Sequence, residues 1–422
     1  MSRTTMCVRA AGAVVLPLIM TAASGQQLQY RVEVMQGMSV REGVNLRMNN
    51  HNQVVGGGAG SPNTTPPMFW SAAAGAVPLS GTLDLSITIA YDINDSGRIC
   101  GSGMLGSPSQ RPIVGDTPTS LHLIDDGLGT ATALNNAGDI VGSTTVADGA
   151  LASIWPASGP RTDLPTPGDD TFMFIMAINN ARDAVGISTS NTHPSLPTIW
   201  PADGPPRRLP VPMVPQGGFA VGINLRRDVG GATSYAQGTS STRFATLWRD
   251  SQPALALGAL PGHTRSLAMS ISEYGIVVGQ SGPTGSGYGW VNGGGGFIWT
   301  SVTNMLALDS LLVPEDSSWH IIAACDINEH GDIAAYARQG TGPVQAVLLH
   351  PNRVNLADIA GSFGTTLPDG QLNTDDVVTF ISEFFNDAPI IADLASPGGI
   401  AGPDGRLTAD DVILFLSSFF GG

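Results

Sequence analysis

The chain has 422 residues, of which 54 are Gly and 30 are Pro, and only 13% are charged, about half the share of an ordinary soluble domain. All 19 basic residues are Arg, against 34 acidic ones, for a formal net charge of −15. Without clustered cations, a nucleic-acid backbone or an anionic membrane surface is a poor partner. A hydrophobic share of 42% speaks against disorder, which leaves a turn-rich, mainly β globular chain.

Arg3 and Arg9 precede an apolar run from Ala10 to Met20, followed by small residues up to Gly25. That is the layout of a secretory signal, with cleavage after Gly25 or, alternatively, after Ala23. Eleven apolar residues are too few to span about 30 Å of hydrocarbon, and no later segment approaches about 18 apolar residues. Export leaves Cys100 and Cys325 as the remaining cysteines. Two thiols make no disulfide framework, and both are expected to be free and buried.

Residues 26–350 carry one motif seven times, from Met48-Asn49-Asn50 through Leu134-Asn135-Asn136-Ala137-Gly138-Asp139-Ile140-Val141-Gly142 to Ile327-Asn328. The anchors fall at 48, 93, 134, 178, 223, 271 and 327. Five units add an apolar residue and Trp, at Trp70, Trp155, Trp200, Trp248 and Trp299. The step from Trp to the next anchor is 23 residues four times and 28 once, whereas the step from anchor to Trp drifts between 21 and 28. Constant spacing predicts strand register, and the drifting connection predicts a loop between the Val-Gly strand and the Trp strand.

Each unit reads as four short strands: one entering the anchor, an Asn-Asn-x-Gly turn, an Ile-Val-Gly strand, the Trp strand, and a fourth ending near Leu164-Pro165 or Leu209-Pro210. Four strands in about 45 residues, repeated seven times, predict a seven-bladed β-propeller. A β-solenoid is the rival. The anchor motif resembles the HAF-type extracellular repeats of secreted bacterial proteins, a resemblance that implies an exported propeller-like scaffold and no defined chemistry.

Residues 358–385 recur at 393–420 with an offset of 35 and 14 identities in 28 positions. After Asp375-Asp376 and Asp410-Asp411, apolar residues fall on one helical face, so the tail, 351–422, reads as a small all-α pair of loop–helix units. Calcium takes oxygen ligands at fixed positions of a loop with Gly at its sixth. Gly370 at that place brings Asp369, the Gln371 carbonyl, Asn373 and Asp376 to the ion, and Gly405 brings Asp404, the Arg406 carbonyl, Thr408 and Asp411.

The tail resembles a type I dockerin of the GC type, which implies up to two bound Ca2+ and a cohesin-like or cell-surface partner. It departs from the pattern at the loop start. Thr365 and Ile400 stand where the first ligand belongs, and Asp358 and Asp393 reach the ion only if seven further residues bulge out. The alternative is that Asp376 and Asp411 cap helices.

Weaker signals are Asp92-Ile93-Asn94-Asp95-Ser96-Gly97, read as a turn rather than a calcium loop, and Gly101-Ser102-Gly103-Met104-Leu105-Gly106, followed by Ser107-Pro108 and not by a nucleotide-binding helix. The Gly-rich stretch 282–296 holds Tyr288, Trp290 and Asn292 and is read as an insertion rather than as a loop whose aromatics stack on sugars.

The sequence thus predicts an extracellular, non-catalytic binding or scaffold protein, with a carbohydrate ligand on the propeller. The alternative is a polysaccharide-active hydrolase or lyase that uses acids such as Asp125, Asp126, Asp169 or Asp170. No pair of them can be placed at glycosidase separation from sequence.

Overall fold

The computed structural model describes residues 29–38, 46–56, 66–81, 86–105, 109–211, 215–237, 240–249, 252–283, 294–301 and 303–352, with 395–396, 400–401 and 412. The repeat folds as an antiparallel four-strand meander. In one unit its strands are Phe172–Ile178, Ala184–Thr189, Leu196–Trp200 and Arg207–Arg208, paired in that order.

Every first strand packs on the second or third strand of the unit before it, and Arg47–Met48 of the first unit packs on Trp319–Ile327 of the last. The units therefore form a closed circle, the arrangement of a β-propeller, with first strands at the axis. Tyr30–Val34, at the chain start, pairs with Val344–Pro351 in register from Tyr30↔Pro351 to Val34↔Val347. The outermost strand of the last unit thus comes from the segment that precedes the first anchor.

Seven separate sheets are expected from the repeat count, and five stand alone as four-stranded sheets. The other two units merge into one eight-stranded sheet through the parallel pair Ala150↔Phe172. The cause is a tight hairpin, Val146↔Gly149. It starts the third strand low enough for the Ala150 N–H to bond the Thr171 carbonyl at 3.2 Å.

The Trp spacing is a register device. Trp70, Trp155, Trp200, Trp248 and Trp299 stand opposite Val54, Ile140, Ala184, Val229 and Val277, and all five are buried. In two units Gly115 and Leu349 hold that place, opposite Ile99 and Ile333. Indole N–H groups donate across to the preceding unit, from Trp200 to the Pro165 carbonyl at 2.9 Å and from Trp248 to that of Pro210. That is why Leu-Pro follows the fourth strand.

The glycine of Ile-Val-Gly is a steric requirement. A Cβ on Gly142 would stand 1.9 Å from the Thr130 carbonyl oxygen, and one on Gly186 2.0 Å from that of Phe174. The first strands bulge at these places, between Ala131 and Ala133 and between Ile175 and Ala177.

The cores lie between sheets. Val185, Ile199 and Leu209 of one unit, for example, pack with Ala220, Ile223, Val229 and Trp248 of the next, each full aliphatic burial contributing about 1.5–3 kcal/mol. The single 28-residue step from Trp299 is filled by 3-10 turns at Leu308–Leu311 and Pro314–Asp316. No helix among the described residues is long and apolar enough to cross a membrane.

The anchor asparagines close the circle. The Asn179 side-chain oxygen accepts the N–H groups of Ala181 (3.0 Å) and Asp183 (2.8 Å), holding its own turn. Its amide donates to the backbone carbonyl of Asn224, the anchor of the next unit, at 2.9 Å. The same donation runs from Asn49 to Asn94 (2.9 Å), Asn94 to Asn135 (3.0 Å), Asn135 to Asn179 (3.3 Å) and Asn224 to Ser272 (3.3 Å). Asn328 completes it on the Asn52 side chain at 2.8 Å.

Ser272 has no amide to pass on. There a second circle one residue later supplies the link, the Glu273 N–H donating to the Glu329 carboxylate at 3.1 Å. Its other links join Asn50 to Asp95, Asp95 to Asn136, Asn136 to Asn180, Leu225 to Glu273 and Glu329 to Asn50. It opens after Asn180, because Leu225 offers no side-chain acceptor.

Cys100 and Cys325 are free and buried, and burial pushes the Cys325 thiol up to about 12. Thiol titration is expected to count both after denaturation and neither before it; finding none in the denatured chain would mean a disulfide. Asn179→Ala strips the Ala181 N–H, the buried Asp183 N–H and the Asn224 carbonyl of their partner and is expected to cost about 2–3 kcal/mol in urea unfolding. A loss below about 0.5 kcal/mol would remove the asparagine circle from the stability argument.

Candidate functional site

In an antiparallel meander alternate connections lie at opposite ends. The anchor turns and the connections after the Trp strands share one face. The length-variable connections, between the Val-Gly and Trp strands, open on the other. One face is held by the asparagine circles, and the other carries the variation.

At the axis, the residues before the first, second and last anchors, Arg47, Asp92 and Asp326, come together. Asp92 sits on the strand Ser86–Ile93 and not in a metal loop. Its carboxylate accepts the Ile93 N–H at 2.9 Å and, from the next unit, the Leu134 N–H at 3.0 Å. Asp326 takes the Met48 N–H in the same way at 2.8 Å. Arg47 lies 3.6 Å from Asp326 and donates to the Met269 carbonyl of the sixth unit, so it fills the axis.

Burial outweighs Arg47 and pushes Asp92 up to about 7. At the mouth, burial and the neighbouring charge of Glu273 push Glu329 up to about 8, with Asp95 and Asp326 adding to the rise. Burial raises Glu273 too, against the pull of the Leu225 N–H and Arg226.

Two of the four acids considered for catalysis, Asp125 and Asp170, have their carboxylates held by neighbouring side chains. Asp125 accepts the Trp155 indole N–H at 2.6 Å and the Gly127 N–H at 2.7 Å, and Arg161 lies 3.5 Å away. The Asp126 carbonyl accepts from Arg111. Asp169, Asp170 and His193 bring one ligand-type atom each to within 4.8 Å of one another. Arg208, however, lies 3.0 Å from the Asp170 carboxylate and 2.8 Å from His193 Nε2, so a guanidinium stands where a cation would. Gly101–Met104 belong to the strand Ile99–Met104 and not to a loop before a helix, and a Cβ on Gly101 would stand 2.2 Å from the Ile89 carbonyl oxygen.

The calcium ligand set named from sequence, Asp358, Asp369, Gln371, Asn373, Asp376, Asp393, Asp404, Arg406, Thr408 and Asp411, lies outside the described residues, as does 284–293.

A cleft of about 650 Å3 opens on the anchor face at the seam of the circle. It is lined by Arg31, Asn52, His330, Asp332, His350, Pro351 and Asn352. His350 Nδ1 contacts Asp332 and Nε2 contacts Glu33, each at 2.8 Å, so one imidazole ties the first strand of the chain to the last anchor turn. The bond to Asp332, opposed by burial and aided by Glu33, raises the His350 pKa above the ordinary histidine value. Nothing in the repeat pattern marks this cleft, because its walls come from both ends of the repeat region.

No protein-family model and no curated protein matches the chain. Similar solved structures include a lectin from Burkholderia pseudomallei, at 10% identity over 76% of this chain and 98% of the other, with a TM-score of 0.39. A catalytically inactive virginiamycin B lyase from Staphylococcus aureus, with quinupristin, matches at 10% identity over 77% and 99%, with a TM-score of 0.41. The SapL1 lectin in complex with alpha methyl fucoside matches at 12% identity over 67% and 100%, with a TM-score of 0.32.

The raised acids and His350 set the sign of the pH dependence. A group whose pKa is higher in the folded state stabilises it fully below the unfolded value and loses that contribution as pH rises through the folded value. Unfolding free energy is therefore expected to fall between about pH 5 and pH 8, as Asp92 near 7 and Glu329 near 8 ionise. Asp183 acts at the acid end: burial would raise it, but the Arg227 pair, the Ala202 N–H and Asn179 hold it below its usual value. Urea unfolding across this range checks the slope. Glu329→Gln is expected to flatten its upper part, and an unchanged slope in that variant would refute the assignment.

Proposed function

We propose that this chain is an exported, non-catalytic binding or scaffold protein. In this reading residues 1–25 are a signal peptide and 26–350 are a seven-bladed propeller of HAF type, with the eight-stranded sheet counting as two blades. Residues 351–422 are a dockerin-like module that binds up to two Ca2+ and tethers the propeller to a cohesin-like protein or the cell surface. The propeller presents a carbohydrate-binding surface.

The observation that carries the reading is the division of labour between the two faces. The repeated polar residues are committed to hydrogen-bonded circles that hold a ring, which is what a rigid display scaffold needs. Asp125 and Asp170, two of the four acids named for the enzyme alternative, are bound to Trp155 and Arg208.

A polysaccharide panel scored for both retention and product release is expected to show retention alone; release of products would replace the binding reading by an enzyme. Calorimetry on the tail, 350–422, is expected to show Ca2+ heat and a helicity that falls with EGTA. Absence of both would leave the tail acids as helix caps and remove calcium.

A further inference from the structure

The seam cleft lies where the two ends of the repeat region meet. In the other units the third and fourth strands are joined through the chain on the anchor face. In the last unit the third strand ends at Pro351 and the fourth begins at Tyr30, 321 residues apart where Arg31 meets Asn352. The ends of these strands and the anchor turns of the first and last units line a cleft. Its volume, about 650 Å3, falls within the roughly 300–1,000 Å3 of small-molecule sites.

The charges around it are unequally matched. Asp332 is engaged by His350 at 2.8 Å and by Asn52 at 3.2 Å, and Glu33 takes the other nitrogen of the same imidazole. Arg31 is exposed, and its Nε donates to the neutral Asn352 side-chain oxygen at 3.0 Å. Among the described residues no carboxylate lies in ion-pair range of it. A guanidinium pinned through Nε keeps two Nη groups for a planar two-oxygen acceptor, the geometry that carboxylates match. The Pro351 ring and the imidazoles of His330 and His350 add flat, weakly polar surface in the same lining.

We propose that this cleft binds an acidic saccharide, with the carboxylate of a uronic-acid unit on Arg31 and the sugar ring against Pro351 and the imidazoles. This rests on the carbohydrate-binding reading above and names its place and ligand class. The protein carries a net charge of −15, which disfavours long-range attraction of an anion. Selectivity therefore comes from the local fork, and affinity falls as salt rises.

The test is calorimetric titration of the full chain with an oligogalacturonate and with its methyl ester, which keeps the rings and removes the charge. The acid form is expected to bind at least tenfold more tightly than the ester. Arg31→Gln, a surface change, is expected to lose that factor while circular dichroism stays unchanged, and Asn352→Ala is expected to lose part of it. Equal binding of acid and ester, no binding of the acid form, or an Arg31→Gln variant that binds it like the parent would overturn the assignment. Retention of neutral glycans that ignores Arg31 would overturn this site and leave the binding function standing. A panel that retains no saccharide at all would sink both.

Discussion

The structure depends on one side chain used in six of the seven units: an asparagine whose oxygen holds its own turn and whose amide holds the next unit. Sheets that pack face to face through small aliphatic cores can slide; a directional bond at each step fixes the rotation between neighbours. Ser272, the one anchor without an amide, shows that the circle tolerates a gap when a second set of bonds, Glu273 to Glu329, spans it. Each bond contributes only about 1 kcal/mol, but a ring must close, so an error at one step would accumulate at the seam.

The same turn explains its odd residues. Gly97, Gly138, Gly275 and Gly331 occupy its left-handed position, and Asn52, Arg182 and Arg227 stand there instead with φ of 55°, 68° and 61°. Such a backbone costs a non-glycine residue about 1–2 kcal/mol. Each one reaches back to the Asp of the preceding unit: Arg227 pairs with Asp183 at 2.9 and 3.0 Å, Arg182 with Asp139 at 3.0 Å, and Asn52 with Asp332 at 3.2 Å. A charge-assisted bond to a buried carboxylate offsets strain of that size. Local conformation yields where it gains a link around the circle.

The axis follows the opposite rule. Asp92, Asp326, Glu273 and Glu329 are gathered with Arg47 as the axial cation. Their carboxylates are pegs for N–H groups of adjacent units, placed where desolvation works against them. Burial raises the pKa of Asp92, Glu273 and Glu329, so the links that register the ring also make it sensitive to pH. An acidic chain without lysine meets this cost at its centre and leaves Arg31 at the rim.

Much of the architecture was legible in the residues. The recurring Asn and Ile-Val-Gly, the constant 23-residue step and the Trp positions encode strand register, because each is a local steric or hydrogen-bond demand repeated in every unit. The purpose of the second anchor residue was hidden: Asn50, Asp95, Asn136 and Glu329 differ in identity and share only an acceptor atom. The merger at Ala150 and Phe172 was equally invisible, since it turns on the height at which one hairpin ends.

The sequence by itself determined a repeating, mainly β chain with a duplicated acidic tail, for these are properties of neighbours along the backbone. Tertiary structure alone decided how the circle closes, which face is locked and where a cleft remains. Tyr30–Val34 joins the last unit, and Arg31 meets Asn352 across 321 residues. A contact between the two ends of a ring has no spacing that a linear pattern can carry.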